Sequence, residues 1–201
     1  MLDRALATTG DVDRAKTQLA TSHPVFRRCD FESLHRHMNE TLEHMSIDDI
    51  IEHVTALGGV LTLQPQPGDG SPEISWGDVF FYYAPDGEVP ATQPFATIVT
   101  KDYPDEPASG LDRTEAFRLN IAASAAESRE VTGLDPRHSA QASDPSTADT
   151  WFPHPVYGRG GWVSVVDPDE RTAAKALVLL EAAHQTARVR SQHRTPGQHD
   201  E

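Results

Sequence analysis

The sequence predicts an α+β protein: a mainly antiparallel sheet of about five strands, packed with an N-terminal helix and a long C-terminal helix. Three observations support this fold class. A helix-start signal at Ser46 precedes an amphipathic run, several short strand-like segments follow it, and a second helix-start signal at Asp167 precedes a longer apolar stripe. The sequence lacks the strict alternation of strand and helix that builds a doubly wound nucleotide-binding fold.

The first helix begins at Ser46, which forms a capping box with Asp49. Met45 can pack onto Ile50 across this start as a hydrophobic staple. Gly58 can supply the left-handed residue that ends the helix. The apolar side chains of its buried face are Ile47, Ile50, Ile51, Val54 and Leu57.

The next part of the chain is predicted to form four strands. The second of them has aromatic side chains at both odd- and even-numbered positions, which indicates that both faces of the strand are covered. A Pro-Asp-Gly turn separates the second strand from the third, so we expect these two to pair antiparallel. The four strands are predicted over residues 59–64, 74–83, 94–101 and 116–122.

A short helix is predicted over residues 124–132 and ends at Gly133, although its apolar face is thin. Residues 135–150 are rich in Ser, Asp, Ala and Pro without periodicity, which is typical of a loop. A fifth strand is predicted over residues 162–166.

The long C-terminal helix has a start signature of its own. Asp167 is the expected N-cap, Pro168 the first helical residue and Glu170 the third. The residues that follow at helical spacing, and that we expect to pack across the sheet, are Ala173, Ala176, Leu177, Leu180, Ala183, His184 and Ala187.

We expect one α+β domain over residues 45–191, preceded by a poorly packed extension, 1–44, and followed by a flexible tail, 192–201. Because Met45 stands immediately before a complete helix-start signal, we hypothesise that it is the natural initiator and that residues 1–44 derive from an over-long gene start. An intact mass that includes Met1, measured on the natively expressed protein, would contradict this hypothesis.

The formal net charge of −14 argues against nucleic-acid partners and anionic membrane surfaces, which both require clustered basic residues. The sequence has neither the apolar run of roughly 20 residues that spans a bilayer nor a signal peptide, so we expect a cytoplasmic protein. Cys29, as a lone cysteine, cannot form an internal disulfide or a structural thiolate zinc site. His35 and His37 are two residues apart, but His44, His53, His154 and His184 lack short ligand spacing, and we expect no metal and no other cofactor.

Several segments together carry a resemblance to a known family. They are MSIDDII (45–51), PQPGDGSPEISWGD (65–78), FFYYAPDG (80–87), PFATIVTKDYP (94–104), FRLNI (117–121), and FPHPVYG with GWVSVV (152–166). On these segments the chain from Met45 to about Arg190 resembles an uncharacterised family of small bacterial proteins, the domain-of-unknown-function family DUF6194. The resemblance implies no known activity and therefore no catalytic residues. Residues 122–130 depart from the family pattern, where a fuller amphipathic helix is expected.

Two more distant resemblances involve the same region. The strand order and the His-Pro element before a Trp-containing strand are similar to small YjbR-like α+β proteins, and the segment from HPVYG to the last helix is similar to a luciferase-associated domain. The YjbR-like group is linked by fold to DNA binding. The charge of this chain opposes that function, because outside residues 1–44 it has 11 Lys or Arg and 24 Asp or Glu, a formal charge of −13.

Polar side chains on otherwise apolar strands, together with one rigid loop, predict a ligand site. His154 lies between two prolines, which hold it on stiff, extended backbone next to Tyr157. The candidate ligand-binding residues are Trp76, Asp78, Arg118, Asn120, His154 and Tyr157, and the catalytic candidates are His154 and Tyr157.

Each candidate also has a simpler structural interpretation. His154 can hydrogen-bond the backbone of its own loop, and Asp78 can form a salt bridge with Arg118 under an aromatic cover. Lys101 can bind an anion or protect a strand end. His184, on the buried stripe of the last helix, is expected to be a hydrogen-bonded core histidine.

Three functions fit the sequence. The first is a non-enzymatic binding module for a small polar or anionic molecule or for a segment of a partner protein. The second is an enzyme that uses His154 as general acid or base, with Tyr157 or Arg118 stabilising charge. The third is an interaction protein that forms a homo-oligomer through its aromatic strand or its last helix. A strict monomer in light scattering across protein concentrations would contradict the third.

Overall fold

The computed structural model describes residues 45–141 and 144–194, which lie in the larger of the two units into which the chain divides, residues 39–201. The helices of this part are α1 (Ile47–Ala56), α2 (Ala125–Thr132) and α3 (Ala173–Arg194). The strands are β1 (Val60–Leu63), β2 (Val79–Tyr83), β3 (Ala96–Val99), β4 (Arg118–Ile121), β5 (Phe152–Pro153) and β6 (Val163–Val166).

The strands form one sheet in the order β1-β2-β3-β4-β6-β5, and each neighbouring pair is antiparallel. The predicted class is therefore confirmed, including the N-terminal and the long C-terminal helix. The strand that the sequence analysis missed is β5, whose two residues are too few to give an alternating pattern.

The register of the sheet separates two faces of different character. Leu119 of β4 lies opposite Ile98 of β3, and this face forms the main hydrophobic core with residues of α1 and α3. Asn120, one residue further along β4, lies opposite Thr97 and projects to the other face. The strands that build the core therefore also carry polar side chains to the face away from the helices.

The predicted start of α1 is confirmed in detail. The Ser46 hydroxyl accepts the Asp49 N–H at 3.2 Å, and the Asp49 carboxylate accepts the Ser46 N–H at 2.9 Å. Met45 and Ile50 are both buried in the main core, as the staple requires. Gly58, with φ of 79°, takes the left-handed conformation just after the helix. The short helix α2 also has its predicted cap, because Gly133 is left-handed at its C-terminus.

The predicted N-cap of the last helix is wrong. Asp167 has a positive φ of 43°, and its carboxylate accepts the backbone N–H of Phe117 at 2.9 Å and pairs with Arg113 at 2.9 Å. Its side chain is therefore committed to the segment before β4. The helix begins later, at Ala173.

Asp149, from the preceding loop, holds the start of α3. Its carboxylate accepts the backbone N–H groups of Asp169 and Thr172, each at 3.0 Å, and the Thr172 hydroxyl at 2.7 Å. Burial opposes the charged form, but these hydrogen bonds and the neighbouring Arg171 hold the pKa of Asp149 below its usual value. A cap that arrives from a distant part of the chain leaves no local sequence signal.

The predicted buried face of α3 is largely confirmed. Ala173, Ala176, Leu180, Ala183 and His184 are buried, while Leu177 and Ala187 are half-buried against the core. Leu179, which the predicted stripe omits, is also buried. The ring Nε2 of His184 lies 2.9 Å from the Gly58 carbonyl oxygen, so His184 is a hydrogen-bonded core histidine as predicted.

The predictions for both chain ends fall largely outside the described residues. Nothing described here bears on residues 1–44, including Cys29, or on residues 195–201. Helix α3 extends to Arg194, beyond the predicted domain end at Ser191. Within residues 45–141 and 144–194, no helix combines the length and apolar character needed to cross a membrane.

Candidate functional site

A cavity of about 300 Å³ lies on the face of the sheet away from the main core. Alternate residues of β2, β3 and β4 form its floor, and loops form its walls. Its volume lies near the lower end of the roughly 300–1,000 Å³ that is typical of small-molecule sites. The lining residues are Phe80, Tyr82, Gln93, Pro94, Thr97, Val99, Tyr103, Glu106, Arg118, Asn120, His154, Tyr157 and Trp162.

The structure brings most of the predicted ligand-binding residues into this cavity. Those that line it are Arg118, Asn120, His154 and Tyr157, whereas Trp76 and Asp78 do not. The predicted strand over 74–83 begins only at Val79, because a 3-10 turn occupies Glu73–Ser75. Trp76 and Asp78 therefore precede the strand, although both were predicted to lie on it.

Arg118 is buried in the cavity floor, with 2% of its surface exposed. Its Nη2 donates to Glu106 Oε2 at 2.6 Å, and its Nη1 donates to the Ser109 hydroxyl at 3.0 Å. Its Nε is buried and has no hydrogen-bond partner in the described part of the chain. A buried N–H without an acceptor is costly, so Nε is an unsatisfied donor in the cavity floor, and Nη1 and Nη2 each carry a second N–H beyond these bonds.

The alternative of an Asp78–Arg118 salt bridge is wrong. Asp78 is buried behind the cavity wall, where its carboxylate pairs with Lys101 Nζ at 3.2 Å and accepts the Tyr103 hydroxyl at 2.5 Å. Lys101 Nζ also donates to the Trp76 carbonyl at 2.5 Å. Burial and the hydrogen bond to Asp78 raise the pKa of Tyr103. Asp78 therefore holds a wall residue in place without lining the cavity itself.

His154 is 5% exposed and is held by its own loop. Its ring Nδ1 accepts the backbone N–H of Val156 at 3.1 Å and that of Tyr157 at 3.3 Å. Its backbone N–H donates to the Trp162 carbonyl at 3.0 Å, which extends the β5–β6 pairing. Since Nδ1 is an acceptor, the ring proton is on Nε2, and His154 offers a hydrogen-bond donor to the cavity that it lines.

The environment of His154 strongly favours its neutral form. Burial, and after it the positive charge of Arg118, lower the pKa of His154 from 6.5 to about 3. His154 can both hold its own loop and contribute to a ligand site, because the backbone N–H groups use Nδ1 and Nε2 has no partner among the residues that the structure describes.

We expect the free energy of unfolding to fall as the pH decreases from 6.5 toward 4. In this range the unfolded chain binds a proton at His154 and the folded chain does not, because the folded pKa is the lower one. The contribution of neutral His154 to the free energy of unfolding is present in full above pH 6.5. It is lost at about 1.4 kcal/mol per pH unit on acidification. Urea denaturation at several pH values measures it.

His154→Asn is the comparator for this pH dependence, because the asparagine carbonyl can accept the two loop N–H groups without titrating. The unfolding free energy of this variant should depend less steeply on pH than that of the wild type. Parallel curves for the two proteins between pH 7 and pH 4.5 would contradict the expectation.

Aromatic rings form one wall of the cavity. The ring centroid of His154 lies 5.0 Å from that of Tyr157 and 6.0 Å from that of Trp162, and the Tyr157–Trp162 separation is 5.9 Å. Trp162 is 9% exposed, whereas Tyr157 is 46% exposed. The mutual packing of the three rings fixes the wall, and Tyr157 marks its solvent side.

Asn120 links three strands across the floor. Its Nδ2 donates to the Thr97 hydroxyl at 3.0 Å, and its Oδ1 accepts the Ser164 hydroxyl at 2.7 Å. Asn120 and Ser164 are fully buried. Asn120 lines the cavity, and these hydrogen bonds orient its amide.

The wall residues Glu106 and Tyr103 were not predicted as part of the site. Both lie in the loop between β3 and β4, which has no periodicity that could indicate which side chains turn inward. Thr97 was placed on a strand but not at the site. The pairing of Thr97 with Asn120 is the signal that would have found it, and it depends on knowing the register.

A second, larger cavity of about 630 Å³ lies between α3 and the β2–β3 connection. Gln93, Pro94 and Trp162 line both cavities and form the wall between them. None of the predicted site residues lines the larger cavity. In the described ranges, 45–141 and 144–194, no group of three or more His, Cys, Asp or Glu side chains is arranged to hold a metal ion.

Comparison with known proteins identifies a family but no activity. A family described as "Family of unknown function (DUF6194)" matches residues 45–196, which is more than half of the chain. No curated protein and no solved structure matches the chain. The more distant similarity to YjbR-like proteins is not confirmed.

Proposed function

We propose that this chain, which belongs to the family of unknown function DUF6194, is a binding module that holds a small polar ligand in the 300 Å³ cavity. The observation that supports the proposal best is the pair of unused donors at this cavity. Neither Arg118 Nε nor His154 Nε2 has a hydrogen-bond partner among the described residues, although both side chains are buried.

Acid–base catalysis by His154 is not favoured by its surroundings. A general base near neutral pH needs a ring nitrogen that can take up a proton. In His154 the backbone occupies Nδ1, Nε2 already carries hydrogen, and the pKa is lowered to about 3. The residue is suited to donate a hydrogen bond and not to transfer a proton, so we retain binding as the proposed function.

A ligand-observed NMR screen tests the proposal with a library of neutral, anionic and cationic one-ring and two-ring compounds on the full chain. We expect compounds that bind the wild type to bind His154→Asn at least about tenfold more weakly, or about 1.4 kcal/mol, because the Nε2–H donor is lost. The Nδ1 acceptor is retained by the asparagine carbonyl, so the loop should stay folded.

Two further variants serve as controls. His154→Gln places an amide N–H near the position of Nε2 and should keep more of the affinity, at the cost of the loop hydrogen bonds. His53→Asn makes the same chemical change on α1, where His53 contacts Glu181 at 3.4 Å, and should bind like the wild type. Undiminished binding by His154→Asn, or a screen without any compound that binds, would refute the proposed function.

A further inference from the structure

The charges that line the 300 Å³ cavity cancel. Among the described residues its charged lining side chains are Glu106 and Arg118, which pair at 2.6 Å. His154 is neutral because its Nδ1 accepts two backbone N–H groups. An anion that approached Arg118 would meet the Glu106 carboxylate, and a cation that approached Glu106 would meet the guanidinium. The lining therefore favours an uncharged ligand over an anion or a cation.

The lining offers both hydrogen-bond donors and an acceptor. Glu106 Oε2 accepts from Arg118, whereas Glu106 Oε1 has no hydrogen-bond partner in the described part of the chain. His154 Nε2 and the guanidinium supply N–H donors. A ligand edge with a carbonyl next to an N–H satisfies both kinds of group.

The shape and surface of the cavity favour a flat ring. Phe80 and Tyr82 contribute aromatic surface to the floor, and Tyr157 and Trp162 contribute it to a wall. Aromatic side chains bind flat π-systems by stacking and edge contacts. A cavity of about 300 Å³ leaves room for one ring or two fused rings and little more.

We propose that the ligand is a neutral, planar nitrogen heterocycle with a lactam edge, the arrangement found in uracil and hypoxanthine. Its carbonyl oxygen accepts hydrogen bonds from His154 and Arg118, and its adjacent ring N–H donates to Glu106. This inference rests on the proposed function and narrows it from polar ligands in general to one chemical class.

Isothermal titration calorimetry on the full chain tests the class, with uracil and hypoxanthine as neutral probes. Orotate, which is uracil with a carboxylate, and benzylamine are the charged counterparts. We expect the neutral lactams to bind at least tenfold more tightly than either charged probe. Uridine distinguishes a nucleoside ligand from a free base. Binding of uridine would indicate a nucleoside, whereas binding of uracil without binding of uridine would indicate a free base.

Glu106→Gln tests most directly whether the lining charges set the preference for neutral ligands, because it removes one charge and keeps the shape of the side chain. With Arg118 no longer neutralised, the affinity for orotate should rise at least tenfold and the affinity for uracil should fall at least tenfold. Glu130→Gln is the matched control, since Glu130 pairs with Lys175 on the exposed surface, and it should change neither affinity.

The inference is overturned if uracil and hypoxanthine fail to bind at about 5 mM, or if orotate or benzylamine binds the wild type more tightly than they do. It is also overturned if Glu106→Gln leaves the preference unchanged. A charged probe that binds the wild type more tightly than uracil and hypoxanthine, and whose binding is weakened by His154→Asn, would overturn the lactam class while supporting the proposed function. The two ideas can therefore fail separately.

Discussion

Gly161→Ala is expected to destabilise the protein by about 3 kcal/mol or more, which corresponds to a fall of roughly 6–12 °C in Tm for a domain of this size. Gly161 has φ of 95°, a conformation that L side chains rarely adopt. A Cβ atom at this position would lie 2.7 Å from the carbonyl oxygen of Ala123 and 3.5 Å from the carbonyl carbon of Ser124. Both neighbours are backbone, so neither can move aside without disturbing the segment that connects β4 to α2.

Gly160→Ala is the matched control for this prediction, one residue earlier in the same turn. Its added Cβ would approach nothing more closely than Trp162 Cδ1, at 4.0 Å. We expect a loss within about 1 kcal/mol, since the site has ordinary van der Waals space. Urea denaturation of both variants measures the difference. Equal losses for the two would show that the close approach to Ala123 does not govern this turn.

Arg118→Met is expected to lower the free energy of unfolding by about 3 kcal/mol. The substitution removes the partner of Glu106 and the donor to Ser109 from the cavity floor, where the Arg118 side chain is only 3% exposed. Breaking a buried ion pair on one side leaves the other group without its partner in a poorly solvated position. Ligand binding should be lost together with stability, because the floor of the cavity changes.

Arg129→Met is the control for this second prediction. Arg129 pairs with Asp135 at 2.7 Å, a distance close to that of the buried pair, but its side chain is 54% exposed. A solvent-exposed pair contributes about 0–1 kcal/mol, so this variant should be nearly as stable as the wild type. Chemical denaturation compares the two. If Arg118→Met cost no more than Arg129→Met, the buried pair would have no special role in stability.

The residues of the site that could be predicted are those whose position follows from local chemistry. Arg118 and Asn120 are two apart on a strand, so they share a face whatever the strand pairs with. His154 and Tyr157 lie on a loop stiffened by Pro153 and Pro155. These four residues line the cavity because alternation along a strand and proline geometry act over only a few residues.

The residues that were misplaced depend on pairings across the sheet. Asp78 was considered as a partner of Arg118, but it comes just before β2, and β3 lies between β2 and β4. The backbone after β3 brings Lys101 and Tyr103 to Asp78. Glu106, which lies in the same β3–β4 connection, forms the ion pair with Arg118. Strand order decides which acidic side chain pairs with which basic one, and the local periodicity of the sequence does not predict strand order.

Local residue patterns were sufficient to predict the fold class and the elements that have a local cause. The capping box at Ser46 and the left-handed Gly133 fix helix ends because their hydrogen bonds and dihedral angles involve only neighbouring residues. Two contacts could be found only in the folded chain: Asp149 and not Asp167 holds the start of α3, and Arg118 pairs with Glu106. The reason is that contacts between distant segments depend on how the chain forms the sheet and its loops.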